Sequence, residues 1–399
     1  MKLWETEDTK INKEIEKFTV GEDYNIDMSI IVYDCKASIA HAKMLHKMGI
    51  LSKGELTQLV DALNVIIGLV KAGHFQIKIE DEDCHTAIEN FLVAKLGKLG
   101  EKIHTFRSRN DQVVTALRLY YKDEISKVIE LVNELIEGLL IFKNRFIGVK
   151  LPGYTHTRKA MPSSIGIWCD SFIASMEDNK ALLGFVKTLI DQSPLGTGAG
   201  YGLPVSIDRS FLAEQLGFKK VQHSPLYVQN SRGKFEATIL HALSQVMLDL
   251  NKMATDFILF SLEHFNYFHL PDELCTGSSI MPHKKNPDAL ELVRASYHKL
   301  LAMEAQVKTT IANLISGYHR DHQLTKKPVI EGFALTKECL KIMGLVVASI
   351  GVNKGACESD LTPELFATQE AYELVIKQGI PFREAYKKVA NLIKLINPE

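Results

Sequence analysis

One short segment of the sequence concentrates groups that can do acid–base chemistry. Residues 276–288 read TGSSIMPHKKNPD, so serine hydroxyls, lysines and an asparagine lie together between a glycine and a proline. A loop that closes over a carboxylate needs cations and amides to hold the oxygens, and a desolvated hydroxyl to transfer a proton. The same letters also fit a Gly-Ser turn followed by a capped helix that begins near Pro287. Spacing and composition alone leave both interpretations open.

A second polar cluster, TFRSRNDQ at residues 105–112, stands at the start of a long helical stretch. Arg107, Arg109 and Asn110 could hold a carboxylate there, because guanidinium groups and the free N–H groups of a helix N-terminus both favour anions. Ordinary helix capping and surface charge would explain isolated residues of these types better. Taken alone, the cluster does not establish a binding site.

The other candidates are histidines and the polar residues near them. His156 lies beside Thr155 in the turn PGYTHTR at residues 152–158, and histidine is the natural proton shuttle near neutral pH. Most of the fourteen histidines do no such work. His85 stands before Thr86, and the segment YHRDHQLTK spans residues 318–326.

The segment 318–326 could place Tyr318, Gln323 and Lys326 near one pocket by its spacing. Its histidines and aspartate also suggest a metal site, but no second pair of ligands completes one. The sequence has no phosphate-binding loop of the form GxxxxGK[ST], and the glycines of residues 192–204 follow no credible strand. A glycine-rich loop beside a long helix can still wrap a small anion with its amides.

Long helices must position these segments. Residues 101–137, 234–270 and 288–316 contain neither glycine nor proline, and their apolar residues recur at steps of three and four. Runs with period two are scarce, and Phe75–Ile79 is the candidate for a short strand. We therefore predict a bundle of long helices whose wide apolar faces need partner helices, some from other subunits.

The composition excludes several classes of protein. Lys and Arg total 47 against 48 Asp and Glu, a net charge of −1, which argues against a general binder of nucleic acids or membrane surfaces. The 46% of hydrophobic residues excludes wholesale disorder, and 399 residues exceed the size of one ordinary domain. The six cysteines are scattered, and the N-terminus has no apolar signal segment. We expect a cytoplasmic protein with reduced thiols.

Taken together and in this order, the polar segments resemble those of the fumarase/aspartase superfamily and, within it, the argininosuccinate lyase family. Residues 277–287 are similar to the superfamily signature, and residues 107–112, 152–156 and 318–323 resemble the versions that these lyases carry. The likeness extends from about residue 18 to about residue 390.

The resemblance implies a mainly helical, three-domain subunit. Its domains would be an N-terminal, mostly helical domain (1–107), a central long-helix domain that carries the mobile Ser loop (108–350) and a short C-terminal helical domain (351–399). The central helices would assemble into a twenty-helix bundle in a homotetramer, and each active site would take residues from three subunits.

The implied activity is the reversible elimination of argininosuccinate to arginine and fumarate, a step of arginine biosynthesis, without a metal or organic cofactor. By motif, Ser278 would remove the proton beside a carboxylate. His156, oriented by Glu291, would assist proton transfer to the departing nitrogen. Lys284 and Asn286 would stabilise the aci-carboxylate intermediate. Which of Ser278 and His156 takes the first proton stays open.

The resemblance also implies a set of residues that bind the substrate. They are Asn110, Thr155, Tyr318, Gln323 and Lys326, with Arg109, His85 and Arg232 as further candidates. The chain departs from the family near Phe18, where a substrate-contacting serine is usual. Gly21 or Asp23 would take its place. Two alternatives to an argininosuccinate lyase are a sibling lyase for another fumaryl-amine adduct and a structural protein of the lens-crystallin kind.

Overall fold

The structure is a computed structural model that describes residues 11–396, and it is mainly helical. The α-helices are α1 (Lys13–Val20), α2 (Asp23–Ile26), α3 (Ile31–Lys47), α4 (Lys53–Lys71), α5 (Cys84–Leu96), α6 (Lys98–Glu101), α7 (Arg109–Arg145), α8 (Ile165–Ile190), α9 (Arg209–Gln215), α10 (Pro225–Asn230), α11 (Lys234–Phe260), α12 (Asp288–Thr310), α13 (Lys326–Ser349), α14 (Lys354–Ser359), α15 (Ala367–Gln378) and α16 (Phe382–Ile396). Across the described residues, none of the helices is both long and apolar enough to cross a membrane.

The strands are short and pair two by two. They are β1 (Lys150–Thr155), β2 (Arg158–Ser164), β3 (Gln192–Ser193), β4 (Lys220–Val221), β5 (Phe268–His269), β6 (Thr276–Gly277), β7 (Lys285–Asn286) and β8 (Gly351–Val352). The pairs β1–β2, β5–β8 and β6–β7 are antiparallel, and β3–β4 is parallel. Residues 152–158, predicted as a turn, thus form the end of β1, the tip and the start of β2 in a β-hairpin.

The described chain divides into two compact units. Unit 1 takes residues 11–129, 181–244 and 299–336, and unit 2 takes residues 130–180, 245–298 and 337–396. Each of the long helices α7, α8, α11, α12 and α13 begins in one unit and ends in the other.

In unit 1, α3 and α4 pack together around the fully buried side chains of Leu45, Leu59 and Leu63. The start of α4 is fixed by reciprocal bonds: the Ser52 hydroxyl accepts from the Glu55 N–H, and the Glu55 carboxylate accepts from the Ser52 N–H at 2.8 Å. This capping satisfies backbone donors that a helix start leaves free.

In unit 2, aromatic rings fill the core. The Trp168 ring lies 5.1 Å from that of Phe257, which meets Phe268 edge to face at 5.1 Å between centroids. The Trp168 indole N–H donates to Asp256 at 2.9 Å, so its polar atom is satisfied. The C-terminal helices α15 and α16 pack as a hairpin with a small core of their own, and Gly379 at φ +67° ends α15.

The prediction of a short strand at Phe75–Ile79 is wrong. The structure places these residues in an irregular connection that leads into a 3₁₀ turn at Ile79–Asp81. The Lys78 N–H donates to the Asp81 carboxylate at 3.1 Å, which closes that turn. A local side-chain bond of this kind competes with strand pairing.

The close packing of α5 and α6 predicts a strong effect of one methyl group. A Cβ on Gly100 would lie 2.5 Å from backbone atoms of Leu92 and Val93. We expect Gly100→Ala to lower the free energy of unfolding, measured by urea denaturation, by about 1–3 kcal/mol. The control is Gly68→Ala in α4, where nothing lies within 4 Å of the new Cβ. It should stabilise by about 0.5–1 kcal/mol, and an unchanged Gly100→Ala protein would contradict this packing.

Candidate active site

Unit 1 contains a polar cavity of about 220 Å³. It is lined by Asp23, Asp27, Glu82, Asp83, His85, Arg109, Asn110, Val113, Arg232, Tyr318, Arg320, Gln323 and Lys326. We call this cavity the polar pocket. It brings together seven of the predicted site residues, which come from four separate stretches of the chain.

Lys326 anchors the floor of the polar pocket. Its buried ammonium pairs with Asp23 and Asp27 at 2.8 Å each. Burial raises the pKa of Asp23 to about 6 although Lys326 opposes this rise. Burial alone would lower the pKa of Lys326, but the two carboxylates raise it above its ordinary value. Lys326 therefore stays protonated, and its positive charge is balanced by the two carboxylates. Asp23 holds its proton more firmly than an ordinary aspartate.

Gln323 and Arg320 fasten the N-terminal segment to the polar pocket. The Gln323 amide donates to the carbonyls of Thr19 and Val20 at 3.1 Å each, and Arg320 donates to that of Thr19 at 2.7 Å. These bonds bring Asp23, one of the two predicted replacements for the family serine, into the pocket lining. The other, Gly21, lies next to the Gln323 amide, since a Cβ built on it would be 3.8 Å from the Gln323 Nε2.

His85 is held by a buried carboxylate. Its Nδ1 lies 2.7 Å from Asp34, whose two oxygens also accept from the Gln112 amide at 2.9 and 3.0 Å. Burial opposes the charge on both partners, but their attraction lowers the pKa of Asp34 and raises that of His85. The His85 Nε2 is buried without a partner among the described residues. A protonated His85 can therefore offer an N–H to a ligand in the polar pocket.

Arg109 and Asn110 enter the polar pocket from the start of α7. Arg109 pairs with Asp83 and, at 3.2 Å, with Glu82. The Asn110 amide donates to the Ala199 carbonyl at 3.4 Å. Arg107, from the same cluster, is instead buried and donates to the Ser38 hydroxyl at 2.8 Å. Arg109 and Asn110 therefore line the pocket, and Arg107 has a structural contact.

The glycine-rich loop at residues 192–204 does bind an anion, which is a side-chain carboxylate of the same chain. The N–H groups of Gly196 and Gly198 donate to the Asp111 carboxylate at 3.0 and 2.9 Å. Burial raises the pKa of Asp111 to about 6, against the effect of these bonds. The loop is thus used to hold the first turn of α7 beside the polar pocket.

Asp27, Cys84 and His85 are a group that could hold a metal ion, because their ligand atoms lie within 4.8 Å of one another. The Lys326 ammonium already occupies Asp27, and the His85 Nδ1 already pairs with Asp34. A cation placed there would meet the charge of Lys326, the one free nitrogen of His85 and the Cys84 thiol, whose pKa is raised by burial. The donor set therefore does not fit a metal ion.

In unit 2, the serine loop forms the tip of the β6–β7 hairpin. The half-buried Ser278 hydroxyl accepts from the N–H groups of Ile280 and Met281 at 3.4 and 3.1 Å. The Asn286 amide donates to the Gly277 carbonyl at 3.4 Å, and Lys284 is exposed. Ion pairing of Lys285 with Asp272 fixes the base of the hairpin. Ser278, Lys284 and Asn286 thus lie on one surface hairpin.

Thr155 and His156 lie at the tip of the β1–β2 hairpin, also in unit 2. His156 and Thr157 have φ of +53° and +59°, the left-handed conformation of a tight hairpin turn. Behind the tip, the Tyr154 hydroxyl bonds that of Tyr267 at 2.8 Å, and Tyr267 donates to Asp360. Lys159 of β2 pairs with Asp360 at 2.8 Å. This chain of bonds, the Tyr267 network, anchors the hairpin.

Glu291, predicted to orient His156, is exposed in the first turn of α12. Within the described chain, no hydrogen bond joins it to His156. It lines an open cavity with Asn251, Asp288 and Arg294 among others.

Sequence reasoning missed Asp27, Glu82, Asp83 and Asp34 as parts of the site. Asp27 is 299 residues from Lys326, so no local pattern connects them. Asp83 could have been found, because it stands two residues before His85 and caps α5 by accepting from the Thr86 N–H.

Comparison with known proteins gives a consistent result. The sequence pattern of the Lyase family matches residues 8–300. The argininosuccinate lyase of Thermotoga neapolitana is 55% identical over 98% of this chain and 97% of its own length. That of Phocaeicola vulgatus is 40% identical over 97% of this chain and 86% of its own length.

Solved structures agree on the fold. An EDDS lyase in complex with formate matches 96% of this chain and 76% of its own, with a TM-score of 0.79 and 22% identity. A class II fumarase from Schistosoma mansoni matches 94% of this chain and 91% of its own, with a TM-score of 0.78 and 16% identity. The fold is that of the fumarase/aspartase superfamily. The sequence similarity, which extends over nearly the whole length, shows that this chain belongs to the argininosuccinate lyase family.

Proposed function

We propose that this lyase catalyses the reversible elimination of argininosuccinate to arginine and fumarate. The observation that carries the proposal is the polar pocket, which gathers seven residues of the kinds needed to hold a zwitterionic, multiply charged substrate. Full-length similarity to argininosuccinate lyases supports the same substrate.

In the proposed reaction, Ser278 removes the proton beside a carboxylate of the succinate part. Its hydroxyl already accepts two backbone N–H groups, and donated hydrogen bonds stabilise negative charge on an oxygen. Lys284 and Asn286, on the same hairpin, stabilise the doubly charged aci-carboxylate. The carbon–nitrogen bond then breaks, and its electron pair leaves with the guanidino nitrogen of arginine.

His156, oriented by Glu291, assists proton transfer to this departing nitrogen. The left-handed turn presents His156 at the exposed tip of the β1–β2 hairpin, where a substrate can reach its ring. No metal or organic cofactor is part of the proposal.

The substrate is held by the predicted set of binding residues. They are Asn110, Thr155, Tyr318, Gln323 and Lys326, with Arg109, His85 and Arg232 as further candidates. In the polar pocket, the charges of Arg109 and Lys326 are already met by carboxylates. These paired cations therefore contribute hydrogen bonds and shape more than net charge.

The proposal includes a homotetramer with a twenty-helix bundle, in which three subunits contribute to each active site. Large apolar side chains exposed on the long helices support it, because such residues favour burial against partner helices. They include Ile141, Ile167, Phe185, Leu292 and Leu345. The three-domain division at residues 1–107, 108–350 and 351–399 and a cytoplasmic location are part of the same proposal.

A substrate panel tests the proposed specificity. Purified protein is given argininosuccinate or other fumaryl-amine adducts, and fumarate release is followed for each. Argininosuccinate should have the highest kcat/KM. A higher value for another adduct would assign the chain to a sibling reaction, and no turnover of any adduct would leave only a structural role.

The Tyr267 network predicts a positioning effect on His156. Tyr267→Phe removes the hydroxyl that joins Tyr154 to Asp360, so the hairpin keeps only the ion pair of Lys159 with Asp360 as its anchor. We expect kcat to fall roughly tenfold with KM nearly unchanged, since small misplacements of a reacting group are costly. Tyr372→Phe, at an exposed tyrosine of α15, is the matched control. Equal kinetics of the two variants would show that the network does not position His156.

A further inference from the structure

We propose that Arg232 is the receptor for a small anion, a carboxylate or an inorganic ion, in the wall between two cavities of unit 1. Arg232 lines the polar pocket and also a second cavity of about 180 Å³. We call the second cavity the side chamber. It is lined by Asn230, Arg232, Ile311, Leu314, Ile315, Ser316, Gly317 and His322.

The guanidinium of Arg232 is buried without an acidic partner. The residue is 5% exposed, and its Nη1 has no hydrogen-bond partner in the described part of the chain. Its Cζ lies 5.1 Å above the Tyr318 ring, which meets one face of the guanidinium but none of its N–H groups. A buried cation is expensive unless its charge and donors are satisfied, so an anion bound here would be held firmly.

The other cations of the polar pocket do not need such a partner. Lys326 and Arg109 each pair with two carboxylates. Arg320 is exposed and donates to a backbone carbonyl, so water can accept hydrogen bonds from its remaining N–H groups. Within the described pocket lining, Arg232 is therefore the buried cation whose charge no adjacent carboxylate meets.

The nearest acids reinforce this assignment. Glu236, in the first turn of α11, directs its carboxylate to the Gly233 N–H at 2.6 Å. It and Asp23 act on Arg232 only through space. Gly233 cannot become an acidic residue without strain, because its φ is +75° and a Cβ would lie 2.3 Å from the Ile311 side chain. The Glu236 carboxylate is thus held by the backbone N–H of Gly233.

The side chamber adds no second positive charge. Burial together with Arg232 lowers the pKa of the buried His322 to about 4, so its ring is neutral near pH 7. The single N–H of the neutral ring donates to the Gly317 carbonyl, and the unpartnered Nδ1 is an acceptor. The Asn230 amide and the Gly317 N–H are already bonded within the loop, so they shape the chamber.

Two sources can supply the anion. One is a carboxylate of the substrate that reaches Arg232 through the polar pocket, and this assignment rests on the proposed function. The other is a free ion in the side chamber, which does not depend on the reaction. Both present the same chemistry, one negative charge with planar or tetrahedral oxygens that a guanidinium fork matches.

Sodium formate tests the site without any turnover. The unfolding temperature is followed during a formate titration at constant ionic strength, for the wild type, Arg232→Gln and Arg320→Gln. We expect the wild type and Arg320→Gln to gain about 2–5 °C at saturation, since a ligand of the folded state stabilises it. Arg232→Gln should gain nothing. No gain in the wild type, or an equal gain in Arg232→Gln, would overturn the proposal.

Arg232→Lys covers the case in which Arg232→Gln does not fold. It keeps the charge but loses the planar fork, and formate affinity should fall roughly tenfold. An unchanged affinity would also overturn the proposal.

Kinetics then separate the two sources. If formate raises KM for argininosuccinate at constant kcat, and Arg232→Gln raises KM roughly ten- to hundredfold, the anion is a substrate carboxylate. If formate stabilises the protein without competing, the anion is a separate ion of the side chamber. If the protein gains stability from formate but forms no fumarate, the anion site is supported and the proposed reaction is wrong.

Discussion

Ser278→Ala is expected to lower kcat for argininosuccinate by roughly 10²–10⁴-fold, the usual contribution of a positioned proton-transfer group. The substrate should still bind, because the proposed binding residues line the polar pocket and the substitution removes only one hydroxyl from the serine loop. A group that acts in the transition state affects kcat and kcat/KM together and leaves KM nearly unchanged. Steady-state kinetics by fumarate absorbance measure both.

Ser279→Ala is the matched control for this experiment. Ser279 is the exposed neighbour in the same loop, and the same atom is removed. It should stay within a few-fold of the wild type. Near-normal turnover of Ser278→Ala would refute the role given to Ser278, and equal losses in both variants would point to the loop fold instead of the hydroxyl.

Lys326→Met should have the largest effect on stability. Its ammonium is buried between Asp23 and Asp27, so the substitution leaves two buried carboxylates without their cation. Breaking a buried ion pair in this way typically costs about 3–5 kcal/mol of the free energy of unfolding. Urea denaturation measures the loss.

The cost of Lys326→Met should depend on pH with a defined sign. Burial already raises the pKa of Asp23 to about 6, and without the ammonium its carboxyl keeps its proton to still higher pH. The folded state then binds protons that the unfolded chain has lost, so stability should fall as pH rises from about 5 to about 8. In the wild type, the same contribution of Asp23 is lost between about pH 4 and pH 6.

Lys327→Met is the matched control. Lys327 pairs with Glu22 at the surface, where water and salt screen the attraction and the pair contributes little to stability. If Lys326→Met were no less stable than Lys327→Met, or if its stability rose with pH, the buried charge cluster would be wrong.

The long helices could be predicted from the sequence more fully than the pairing of the short strands. Glycine- and proline-free stretches predict long helices because nothing in them breaks the backbone pattern, and α7, α11 and α12 lie there. Gly138 does not end α7, which shows that one glycine in a packed helix costs too little to break it. The hairpin at β1–β2 was missed because its residues do not alternate between apolar and polar.

From spacing alone, the candidate site could be predicted only where its residues are near in sequence. Tyr318, Gln323 and Lys326 stand within one segment, and the structure places them around one pocket. The partners that set their charge, Asp23 and Asp27, come from the other end of the chain. The glycine-rich loop likewise gave no sign that its amides would bind Asp111, since Asp111 is 85 residues from Gly196 in the sequence.

We propose that this chain releases fumarate from argininosuccinate with its own side chains. The most direct measurement gives argininosuccinate alone to the purified protein in chelator-treated buffer and follows fumarate by its absorbance and arginine by chromatography. We predict that fumarate and arginine appear in equal amounts without any added metal or cofactor. Well-folded protein that releases neither product would contradict the account.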